Sequence, residues 1–125
     1  MPDTDVAVVG AGAAGLSLAH RLAGHAPGLR TPSVVLVDAP PGPLRPPPRT
    51  WCHWTAGTGR FDAAVRAEWR RLRVRPRTGA PVEDDIDPLR YRMIRSDDFE
   101  RLVSRDLARS PNVRRLEATV EAVED

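Results

Sequence analysis

Lysine is missing from the chain; all 19 basic residues are arginine. No rule of folding demands that exchange, and it reads as a coding bias. Cysteine is almost missing as well. The single Cys52 excludes an internal disulfide and suits a reducing compartment. No apolar run approaches the ~18 residues of a membrane span. Val6 to Val9 follows Asp3 and Asp5 rather than a basic segment, so a secretory signal is not expected and a cytoplasmic location is. Aromatic residues are few, at 5%, and do not interleave with the arginines, while the formal net charge is only +2. A nucleic-acid surface is therefore not expected. There is no internal repeat and no long disordered tail.

The strongest pattern present is DVAVVGAGAAGLSLAHRL, residues 5–22. The apolar run of residues 6–9 has no polar alternation, which suits a strand covered on both faces in a parallel sheet. Gly10, Gly12 and Gly15 follow in the spacing G-x-G-x-x-G. Leu16, Leu18, Ala19 and Leu22 then suit a buried helix. Gly10 permits the tight turn out of the strand, Gly12 lets the backbone approach a pyrophosphate, and Gly15 lets helix and strand pack closely. The helix would aim its free N–H groups and positive dipole end at the phosphates. A second apolar run, residues 34–37, ends in Asp38. That acid falls about 20 residues past the glycines, where it would accept hydrogen bonds from a ribose. Strand, turn, helix, strand and terminal acid fit one βαβ unit. A glycine-rich turn without a ligand would leave the spacing and the acid unexplained.

At 125 residues the chain is long enough for one small domain with a real core. The usual dinucleotide-dependent enzyme needs a further region for its substrate. Residues 25–32, from His25 to Pro32, read as the loop into the second strand. Residues 39–48 hold Pro40, Pro41, Pro43, Pro46, Pro47 and Pro48, which exclude helix and interior strand. This loop leaves the carboxyl end of a sheet strand, where ligands bind in such folds. Arg49-Thr50-Trp51-Cys52-His53-Trp54 comes next and reads as a packing knot that anchors the loop. Cys52 and His53 alone do not close a tetrahedral metal site, and adjacent residues seldom aim at each other as nucleophile and base. No metal site is expected.

Phe61, Ala64, Val65 and Trp69 suggest a helix over residues 61–71. Residues 71–77 alternate as a half-buried strand, with Leu72 and Val74 on one face and arginines on the other. Residues 83–88 read as an acidic turn in which Asp84, Asp85 and Asp87 are solvated. Leu89, Tyr91 and Met93 mark another strand. Ser96 is a good N-cap, followed by Asp97 and Asp98 where carboxylates favour the dipole. Phe99, Leu102, Val103 and Leu107 form a helical apolar stripe, and Pro111 stops it. Val113, Leu116, Ala118, Val120 and Val123 predict one bent strand or two short ones, placed beside the first two.

DVAVVGAGAAGLSLAHRL, then VVLVD, then a loop closing in RTWCHW, then YRMIRSDDFERLV together resemble the N-terminal part of the FAD-dependent lycopene cyclases. The glycine fingerprint is shared by very many flavoproteins; the RTWCHW word is the more specific part. The fold implied is α/β, a Rossmann-like FAD/NAD(P)-binding βαβ domain, incomplete here. Residues 1–125 would be its N-terminal part, with the second flavin segment, the substrate region and the acidic catalytic motif downstream. No catalytic residue is assigned. The reaction implied is closure of the ends of lycopene to ionone rings by protonation, an isomerase-type step with no net redox change. It uses reduced flavin, usually with NADPH as reductant. Carried over, Gly10, Gly12 and Gly15, with Ala11 and Ala14 of the same loop, would hold the FAD pyrophosphate, and Asp38 the adenosine ribose. Arg49 would lie near the flavin. The partner implied is lycopene or a related carotenoid, and its membrane-dissolved nature implies peripheral membrane contact. The alternatives are another flavoprotein, such as an aromatic monooxygenase or a geranylgeranyl reductase, and a nucleotide-binding module without chemistry. The ring type, the number of ends cyclised and the oligomeric state are not encoded in these motifs.

Overall fold

Val34, Val35, Leu36 and Val37 are all buried, and successive strand residues can all be buried only where both faces of the strand are covered. The computed structural model describes residues 3–24 and 26–124. In chain order the elements are β1 (Val6–Val9), α1 (Ala13–Ala23), β2 (Val34–Asp38), β3 (Thr50–Ala56), a 3-10 turn (Asp62–Ala64), β4 (Val65–Trp69), β5 (Arg71–Val74), β6 (Val82–Asp85), β7 (Leu89–Arg95), α2 (Ser96–Leu107) and β8 (Val113–Glu117). The class is α/β. The chain divides into two compact units, Met1–Pro47 with Glu100–Asp125, and Pro48–Phe99.

In the first unit β2 is the middle strand of a parallel sheet of order β1-β2-β8. Val6 pairs with Val34 on one side, and Val34 with Val113 on the other. The third strand therefore lies beside the first two, as the sequence predicts. Leu16 and Ala19 of α1, and Val103 and Leu107 of α2, complete a core with Val8 and β2. Each fully buried Val or Leu contributes about 1.5–3 kcal/mol relative to exposure. His20 Nε2 lies 3.0 Å from Asp106 Oδ2, linking α1 to α2. Asn112 Nδ2 donates to the carbonyls of Leu22 (3.0 Å) and Pro32 (2.9 Å), fixing the end of α1 and the approach to β2. His25, at the head of the expected loop, lies outside the described residues.

Several expectations for this unit need correction. Strand β1 is not covered on both faces: only Val8 is buried, and Val9 is 59% exposed. Among the described residues β1 is an edge strand, paired with β2 alone. Leu18 is not part of the buried helix face, being 46% exposed. Of residues 113–123 only Val113–Glu117 is strand, and Val123 is exposed.

The second unit holds an antiparallel sheet of order β3-β7-β4 and a hairpin of β5 with β6. Trp51 alternates with Trp54, so the two tryptophans of the RTWCHW word lie on opposite faces of β3. Trp51 meets Phe99 edge-on at 5.6 Å, and Phe61 meets the same ring at 4.8 Å. Phe99, Ala64 and Ile94 are the buried residues of this unit. On the other face Trp54 and Trp69 flank Tyr91 at 4.8 and 6.0 Å.

The predicted helix over residues 61–71 is not there. Asp62–Ala64 makes one 3-10 turn, and Val65–Trp69 is strand β4 on β7. Its apolar residues satisfy a period of two as well as one of 3.6, and pairing with β7 decides between them. The predicted acidic turn is also half strand. Glu83, Asp84 and Asp85 belong to β6, because Arg73 and Arg71 face Glu83 and Asp85 in register. The strand over residues 71–77 is present as β5, but with Leu72 half-buried and Val74 exposed. A β-bulge at Arg66 turns its guanidinium onto Asp98, with Nη2 donating to Oδ1 at 3.0 Å, which raises the arginine's proton affinity further. Among the described residues no helix is long and apolar enough to cross a membrane.

Candidate functional site

The carboxyl end of the parallel sheet carries the glycine loop. Gly10 leaves β1 with φ +93°, a conformation that disfavours any side chain. Its N–H donates to the Val37 carbonyl at 2.8 Å, one step beyond the last strand pair. The chain then turns, and Gly12 caps α1 with its carbonyl accepting from Leu16 N–H at 3.0 Å. Among the described residues no side chain caps this end of the helix, and no acid sits in its first turn. The first-turn amides are thus left to an outside acceptor, at the positive end of the dipole.

The three glycines have different reasons to be glycine. Gly15 backs directly onto the turn: a Cβ there would come within 1.8 Å of the Gly10 carbonyl oxygen and 3.3 Å of Val8 Cγ1. Gly10 needs its positive φ. Gly12 needs neither device. Its φ of −79° is ordinary, and a Cβ there would meet no atom within 4 Å. Nothing among the described residues forbids a side chain at Gly12, so its absence keeps open a space outside the backbone. That is the fit expected of a phosphate cradle. Ala11 and Ala14 belong to the same rim, with Ala14 exposed.

Asp38 ends β2 beside this loop. Its Oδ1 accepts from Ala11 N–H at 3.2 Å, so the acid and the glycine loop are joined directly. Its Oδ2 accepts from Arg45 Nη2 at 2.7 Å. The Asp38 carbonyl accepts from Ala118 N–H at 2.9 Å, and Glu117 of β8 lies in register with Asp38. The first unit thus brings Gly10, Ala11, Gly12, Ala14, Gly15 and Asp38 to one sheet end. Arg49 is placed in the second unit. Its N–H donates to Ser96 Oγ at 2.9 Å and its carbonyl accepts from Ser96 N–H at 2.8 Å.

Arg45 escapes a reading by motif. No period or motif spacing in the sequence marks it, because its partner Asp38 is chosen by the fold of the proline-rich loop. Among the described residues no group of three or more His, Cys, Asp or Glu could hold a metal ion. Cys52 is exposed on β3 and Tyr91 hydrogen-bonds to it, which raises the phenol's pKa.

Compared with known families, residues 5–125 match the profile of the family described as Lycopene cyclase protein. The match runs through both units. No curated protein matches the chain.

Proposed function

Because the chain belongs to the lycopene cyclase family, enzymes of carotenoid biosynthesis, we propose that residues 1–125 are the FAD-binding N-terminal portion of such a cyclase. The observation that carries this reading is Gly12, a glycine with no internal reason to be one, at the mouth of an uncapped helix. The order β1-β2-β8, with α1 between β1 and β2, supports a Rossmann-like arrangement. The edge of β1, paired with β2 alone among the described residues, leaves room for a further strand.

In this reading the first-turn amides of α1 donate to the FAD pyrophosphate, with Gly10, Ala11, Gly12, Ala14 and Gly15 shaping the approach. Asp38 receives the adenosine ribose hydroxyls through the lone pairs left by Ala11 and Arg45. Arg49 serves the flavin end. Reduced flavin, with NADPH as its reductant, supports protonation and ring closure of lycopene ends without net redox change. No residue of this chain is assigned the delivery of the proton, and carotenoid delivery brings the protein to a membrane surface.

The test is a titration of the purified chain with FAD, with NAD as comparator, following flavin fluorescence and circular dichroism together. Saturable FAD binding that Gly12→Val abolishes is expected. A folded chain that ignores FAD overturns the reading, and so does a Gly12→Val variant that binds it as well as the wild type.

A further inference from the structure

The proline-rich loop holds one side chain with unusual firmness. Arg45 N–H donates to the Gly42 carbonyl at 3.0 Å, closing a turn with Pro43 at its second position, where proline's fixed φ is favoured. Pro46 follows directly and confines the backbone of Arg45 to extended conformations. Within that rigid frame the guanidinium is fastened twice. Nε donates to the Ala39 carbonyl at 2.8 Å, and Nη2 donates to Asp38 Oδ2 at 2.7 Å. Opposite, Ala11 N–H holds Asp38 Oδ1. The carboxylate is therefore gripped at both oxygens, one by the glycine loop and one by the proline loop.

A carboxylate has about four acceptor sites, so each oxygen keeps one for a ligand. The Asp38 side chain remains 20% exposed and can be reached. An ungripped aspartate would have to give up rotamer freedom on binding, which a fixed one does not. We propose that Arg45 is a positioning residue of the nucleotide site, holding Asp38 in the orientation that receives the ribose hydroxyls of an adenine dinucleotide. The proposal rests on the dinucleotide reading of the glycine cradle. Pro43 and Pro46 then have a task beyond linking the units: they set the arginine before a ligand arrives.

The experiment titrates ADP, 2′-deoxy-ADP and 3′-deoxy-ADP into the 125-residue chain and into its R45A and R45K variants, with thermal melting of each. Wild type should prefer ADP over the weaker deoxy analogue by about tenfold, the worth of one charged hydrogen bond. R45A should lose that preference while its affinity for the deoxy analogue stays within about twofold, because the lost bond is the one through Asp38. R45K, keeping the charge but not the fork, should recover part of it. Equal weakening toward all three nucleotides would make Arg45 a loop staple only and overturn the proposal, as would an unchanged preference in R45A. In both of those cases wild-type ADP binding keeps the dinucleotide reading standing. A folded wild-type chain that binds none of the three removes both.

Discussion

The carbonyl oxygen of Gly10 fills the place where Gly15 would carry a side chain, 1.8 Å from an ideal Cβ. The two glycines are one device, closing strand β1 against helix α1, whereas Gly12 between them faces open space. Gly15→Ala should therefore destabilise the fold itself, by about 3 kcal/mol, since backbone must move to admit the methyl. Gly12→Val should melt as the wild type does and fail only in nucleotide binding. Paired thermal melts and FAD titrations separate the two; equal melting temperatures for Gly15→Ala and wild type would refute the packing argument.

Asp5 gives the first unit an acid-sensitive clip. The Arg30 guanidinium beside it, with the Ser33 N–H at 2.7 Å and the Ser33 hydroxyl at 2.8 Å, holds its carboxyl far below the usual carboxylate range. Asp106, beside His20, is lowered as well. A depressed folded pKa means that the stabilisation is complete above the unfolded value, about 3.9, and is lost as pH falls through the folded one. Wild type should lose melting temperature steeply below about pH 4. Asp5→Asn should melt lower at pH 7 and show a shallower fall in acid. Parallel wild-type and mutant curves from pH 7 to pH 2 would rule the clip out.

Asn112 ties three parts of the first unit together. Its amide serves Leu22 and Pro32, and its own carbonyl accepts from Val34 N–H at 2.8 Å. Asn112→Ala leaves two part-buried carbonyls without their donor. A loss of about 1–3 kcal/mol in urea denaturation is expected. A loss below a few tenths would show that water replaces the amide.

Phe99 is the hub of the second unit, with Trp51 and Phe61 both meeting its ring edge-on. Phe99→Ala should cost about 3–5 kcal/mol through the cavity it leaves. Trp51 should lose its near-ultraviolet circular dichroism signal early in the transition. Retention of that signal at wild-type temperatures would place the hub elsewhere.

Sequence pattern was most legible where one residue type had one task. Val34 to Val37 could only be a buried strand, and Ser96-Asp97-Asp98 before Phe99, Val103 and Leu107 could only open an amphipathic helix. It was least legible where a distant partner chose the structure. Val65, Ala67 and Trp69 become strand because β7 lies alongside, and Glu83 to Asp85 because Arg71 and Arg73 face them. No window of neighbouring residues contains that information. That the glycines and Asp38 come together at one sheet end was readable from spacing. Arg45 was not, because its partner is set by a turn rather than by a period.

The first unit is sewn from two stretches, residues 1–47 and 100–125, with the whole of residues 48–99 between them. Val34 cannot meet Val113 until that intervening stretch has been made. At about 5–20 residues per second of synthesis, the interval lasts several seconds. Through it the nascent chain presents one edge of its most apolar strand to solvent, unpaired and ready to template a neighbouring polysome product. The second unit is contiguous, and its strands meet as they emerge. The half that bears the glycine loop is thus the half most exposed to error during translation. A chaperone that covers β2 before residue 113 appears would shield that edge until its partner strand is made.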